Sequence, residues 1–174
     1  TGAPLLRRQM VQAGLGDLPF LAAEGISDGS GETPGSFLAL AGEAAAGTWT
    51  SQSAAFDYPG RDELTAAVRA AYGTEPAAYT ASGYACAQVI LAAIAEAAAA
   101  GTLTREAVRA AATAPDATFP TVLGPIGFDA VGDIRQKSLS YFRTDLALDP
   151  DAATPGTGDW VFVEQVTVTD ATGG

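Results

Sequence analysis

At 174 residues, with 48% hydrophobic and 17% charged side chains, the chain can bury an ordinary core, and a wholly disordered tail is excluded. Twenty acidic residues against nine basic ones give a formal charge of −11, which repels phosphate backbones and anionic lipid, so no nucleic-acid partner is expected. Histidine is absent, which removes the usual general base near neutral pH and every Ser-His-Asp or Cys-His arrangement.

The first helix is expected over Leu5 to Ala13, with Leu6, Met10 and Ala13 at helical spacing, Arg7 and Arg8 turned outward, and Gly14 as its stop. Pro19 to Ala23 is an apolar run too short for a helix and closed by Glu24-Gly25, which reads as a buried strand. ISDGSGETPGS is a loop of turn formers, followed by one or two helical turns at Phe37 to Ala41. Gly47 to Ser53 alternates apolar and polar residues as a second strand. A helix capped by Gly60 or Asp62 then runs through Tyr72 on a stripe of Leu64, Ala67, Val68 and Ala71, and Gly73 ends it.

A long alanine-rich helix is expected from about Ala78 to Ala100, and a shorter one from Thr104 to about Ala114. GPIGFDAVGD reads as a strand and a tight acidic turn, SLSYFRTDL as a strand, LDPDAATPGTG as a surface loop, and DWVFVEQVTV as the strongest strand signal. The order αβαβ, three helices, then strands belongs to an α/β class with a mixed sheet edge. The longest apolar run, Val89 to Ala100, is broken by Glu96 and reaches about half of the ~20 residues a bilayer requires, so it reads as a packed helix. TGAPLLRRQM lacks the apolar core of a secretory signal, so none is expected within this chain.

Most chemical motifs fail on spacing. The glycine-rich loop has no GK[ST] ending and no dinucleotide fingerprint. Asp129 and Asp133 sit in a turn without the spacing of a calcium loop, so no metal is expected. Cys86, the single cysteine, lies in an apolar helical run and reads as a small buried thiol. No nucleophile–base pair can be assembled, which argues against an enzyme and against catalytic residues, and no cofactor is expected. Glu24 differs from the other acids because it ends an apolar strand in a segment otherwise free of charge. Ligands in open α/β sheets sit outside the carboxyl ends of the strands. From the residues alone, Glu24 either binds a ligand there or merely starts the following loop.

GYACAQVILAAI after EPAAY, then TREAVRAA, then GPIGFDAVGD, preceded by LLRRQMVQAGL, PFLAAEG and AGEAAAGTWT, resemble in order and spacing the C-terminal half of the branched-chain amino-acid (Leu/Ile/Val) binding proteins of ABC transporters. The resemblance runs from about Leu5 to Val168 and implies type I periplasmic-binding-protein lobes, three-layer αβα, present only as that half. In this family two lobes joined by three crossing strands close like a hinge on a small solute. It implies that residues 1–56 belong to lobe 2, 57–133 to lobe 1, and 134–174 return to lobe 2. It further implies an extracytoplasmic receptor, periplasmic or a cell-surface lipoprotein, that hands an amino acid or similar small molecule to a membrane permease. A ligand-sensing ectodomain or regulator of the same fold is the alternative. Glu24 falls where amino-acid-binding members carry the acid that pairs with the ligand ammonium, and Ala23 and Gly25 would lie close enough for backbone contact. The family often has aspartate after the tyrosine of its GYDA-like string; Ala85 stands there in this chain. With the other half missing, homo-oligomerisation or domain swapping is expected.

Overall fold

The computed structural model describes residues 2–53, 56–147 and 160–169. The helices are α1 (Gly2–Gln12), α2 (Phe37–Ala41), α3 (Arg61–Tyr72), α4 (Thr80–Ala99) and α5 (Arg105–Ala112). The strands are β1 (Phe20–Ala23), β2 (Thr48–Gln52), β3 (Phe119–Thr121), β4 (Gly124–Ile126), β5 (Gln136–Thr144) and β6 (Trp160–Thr169). The expected loop LDPDAATPGTG lies outside the described residues. The chain divides into two compact units, Thr1–Ser53 with Leu139–Gln165 and Ala54–Ser138 with Val166–Gly174, so it passes from one to the other three times.

The first unit is built on a sheet ordered β1-β2-β5-β6. β1 and β2 are parallel, with Phe20 opposite Thr48 and Ala23 opposite Ser51, whereas β2 and β5 are antiparallel. Ser140 hydrogen-bonds Gln165 and Ser138 hydrogen-bonds Thr167, so β6 runs antiparallel to β5. A mixed sheet is the expected architecture. Its core gathers Phe37, Leu38, Ala45, Phe142 and Trp160, with Phe37 stacked on Phe20 at 6.3 Å and tilted by 36° against Trp160 at 6.1 Å. α2 starts where Ser36 Oγ accepts from the Ala39 N–H (3.0 Å), and Asp28 Oδ1 accepts from the Phe37 N–H (2.8 Å).

Two expectations about this unit are corrected. Arg7 does not turn outward: it is 3% exposed, while Leu6 faces solvent. Its guanidinium donates to the carbonyls of Ala44 (2.9 Å), Gly16 (2.9 Å), Ala46 (3.1 Å) and Leu18 (3.3 Å), which meets the requirement for burying a charged group. β1 is not fully buried, because it ends the sheet order and Leu21 is 62% exposed. In β2 the polar residues face inward, Thr48, Thr50 and Gln52 all being buried; Thr50 Oγ1 donates to the Ala23 carbonyl (3.1 Å).

The second unit packs α4 against α5 and β3. Ala81, Ala85, Val89, Ala93 and Ala97 form the buried stripe of α4 at i, i+4 spacing, and Ala85 and Val89 join Phe119 and Ile126 in one core cluster. By length and composition α4 is long and apolar enough to cross a bilayer, which widens the shorter run read from the sequence; in this fold its alanine stripe serves the core. Thr104 Oγ1 caps α5 by accepting from the Ala107 N–H (3.1 Å), and Gly73 closes α3 in the left-handed region at φ 70°. β3 and β4 form an antiparallel hairpin that the sequence reading missed. Val122 in its turn receives the Gly60 N–H on its carbonyl (3.0 Å) and gives its own N–H to Gln88 Oε1 (2.8 Å). Asp129 Oδ1 accepts from the N–H groups of Val131 and Asp133, both at 2.9 Å, which makes the expected acidic turn. Cys86 is exposed, not buried as expected, because it lies off the alanine stripe of α4.

Candidate functional site

The parallel pairing of β1 and β2 brings their carboxyl ends together, although the residues there are nearly thirty positions apart in sequence. β1 stops at Ala23, and the chain turns at once into a single 3-10 turn, Glu24–Ile26, with Ile26 buried beneath it. The Glu24 carbonyl accepts from both the N–H (2.9 Å) and the hydroxyl (2.8 Å) of Ser27. Gln52, the last residue of β2, donates its side-chain amide to Ser27 Oγ at 2.8 Å. A buried amide on one strand thereby fixes the turn that follows the other. One residue further, Ser53 donates its hydroxyl to Glu24 Oε2 at 3.0 Å.

Each residue singled out from the sequence has a place here. Glu24 opens the turn with its side chain exposed and its carboxylate oriented by Ser53. Ala23 ends β1, and its carbonyl already accepts from Thr50 Oγ1. Gly25 lies exposed in the same turn, where an added Cβ would meet nothing within 4 Å. Ser27, Gln52 and Ser53 were not foreseen. The signal that could have found them is the end of the second strand pattern, since parallel neighbours present their carboxyl ends together.

A depression of about 420 Å³ lies in the second unit, lined among others by Pro59, Gly60, Glu63, Tyr84, Gln88 and Val122. Among the described residues no three of Cys, Asp and Glu form a group that could hold a metal ion.

The profile of a periplasmic binding protein family matches residues 5–145. The chain belongs to that family. No curated protein matches it. Among solved structures it is similar to a leucine binding protein, LivK, from Thermotoga maritima MSB8, at 25% identity and a TM-score of 0.64 over 94% of this chain and 41% of that one. It is also similar to a putative branched-chain amino acid ABC transporter from Rhodospirillum rubrum, at 24% identity and a TM-score of 0.59 over 92% of this chain and 41% of that one. A third relative is the solute binding protein of an ABC transporter from R. palustris in complex with benzoate, at 21% identity and a TM-score of 0.55 over 98% of this chain and 42% of that one. The mixed sheet with its flanking helices thus matches the type I periplasmic-binding-protein fold, of which the chain spans about two fifths of each relative's length.

Proposed function

We propose that this periplasmic-binding-protein chain is part of an extracytoplasmic receptor of an ABC transporter that captures an amino acid of the branched-chain type and presents it to a membrane permease. The observation that carries the reading is the Glu24 carboxylate, held by Ser53 at the head of the parallel β1–β2 pair. A carboxylate accepts strongly from an ammonium, and charge-assisted bonds of this kind exceed neutral ones about twofold. Such a contact separates amino acids from plain carboxylic acids of the same skeleton. Ala23 and Gly25 would flank the ammonium with backbone, and no bond-making step is involved. In this reading residues 1–56 and 134–174 serve one lobe and 57–133 the other, and the solute is held by closure.

Two relatives lend the reading its ligand choices. One is by name a leucine binding protein, and another was solved with benzoate, which has no amine. Calorimetric titration of the intact protein with the twenty amino acids and with benzoate decides between them. Binding of aliphatic amino acids and silence with benzoate is the expected result; the reverse pattern rejects the amino-acid reading.

A further inference from the structure

We infer that Ser53 supplies a second acceptor for the ligand ammonium, so that it and Glu24 together select a primary amine; the inference rests on the Glu24 reading. A hydroxyl has one proton to give and two lone pairs to receive. Ser53 gives its proton to Glu24 Oε2 at 3.0 Å, which leaves its lone pairs for a donor brought alongside the carboxylate. The carboxylate is itself acceptor-only when ionised. Two adjacent groups that both accept match an ammonium, which has three donors and no acceptor, and they repel a second carboxylate.

The pair is set before any ligand arrives. Glu24 follows the last residue of β1 and Ser53 the last residue of β2, and Ala23 and Ser51 are the final partners of the parallel register. Gln52 is 8% exposed and reaches Ser27 Oγ, which in turn bonds the Glu24 carbonyl. A chain of hydrogen bonds from the Gln52 side chain through Ser27 to the Glu24 carbonyl thus ties the turn after β1 to the end of β2, which lowers the ordering that binding must impose.

The test compares L-leucine with 4-methylpentanoate, the same skeleton without the amine, by calorimetry and competition on the intact protein. Ser53→Val removes the hydroxyl at nearly constant volume relative to Ser53→Thr, which keeps it. The Val variant is expected to bind leucine about tenfold more weakly while its affinity for 4-methylpentanoate stays within about twofold, and the Thr variant is expected to match the unsubstituted protein. Loss of both ligands in equal measure, or of neither, in Ser53→Val overturns the inference. Glu24→Gln measured alongside keeps the two ideas apart. Weaker leucine binding there with Ser53→Val unaffected removes Ser53 alone, whereas unchanged leucine binding in Glu24→Gln, or none in the unsubstituted protein, removes the underlying reading.

Discussion

Arg7 carries its charge into the first unit against four backbone carbonyls drawn from two segments, the α1–β1 loop (Gly16 and Leu18) and the turn holding Ala44 and Ala46, with its guanidinium 5.8 Å from the Phe20 ring centre. Arg7→Met fills similar space and orphans those carbonyls, so the first unit should lose about 3 kcal/mol, seen as a lower urea midpoint at constant slope. Lysine should not rescue it, because a single ammonium cannot reproduce the fork of five donors. A midpoint equal to the parent's would show that water takes over those carbonyls. At Asp129 the backbone N–H of Asp133, with those of Val131 and Gly132 and the charge of Lys137 in support, holds the carboxyl below its usual range. A carboxyl lowered by folding stabilises above its unfolded pKa, about 3.9, and that contribution is lost as pH falls through the lower folded value. Asp129→Asn should therefore flatten the acid limb of the stability–pH curve below about pH 4 and lower the neutral plateau. An acid limb identical to the parent's would contradict this account.

At the scale of elements, a Cβ on Gly60 would lie 2.4 Å from Val122 Cγ2 and 2.9 Å from the Val122 carbonyl oxygen, so the α3 cap and the β3–β4 turn meet only because residue 60 has no side chain. Gly60→Ala should cost the second unit about 1–3 kcal/mol and displace the amide resonances of the hairpin, with those of β1 and β2 unmoved. An unaltered melting temperature would mean that the hairpin yields. The helices were legible in the sequence because spacing, Thr104 and Gly73 mark them locally. The faces were less legible. Apolar positions are read as inward, but β2 turns Thr48, Thr50 and Gln52 inward, the side chains of Thr50 and Gln52 finding partners in Ala23 and Ser27, and α1 turns Arg7 inward onto backbone carbonyls. β3 escaped notice because three residues centred on Pro120 carry no alternation to read, and its pairing comes from the adjoining β4.

At the scale of the molecule, ordered short strings pointed to the family, which the family match then established over residues 5–145. Glu24 was visible as a lone charge ending an apolar run, whereas Ser53 was not, because its partner is 29 positions away and only the parallel register joins them. Ile90, Leu91 and Ile94 stand exposed on α4, with Leu91 at 65%. The 174-residue chain on its own is therefore expected to self-associate, and light scattering that reports a monomer up to about 100 µM would count against this. The account turns on the carboxylate at the head of β1, and the most direct measurement is the affinity of the intact Glu24→Gln protein for L-leucine by calorimetry. A loss of about ten- to a hundredfold, with the melting temperature preserved, is the predicted result. Equal affinity in the parent and the variant would contradict it.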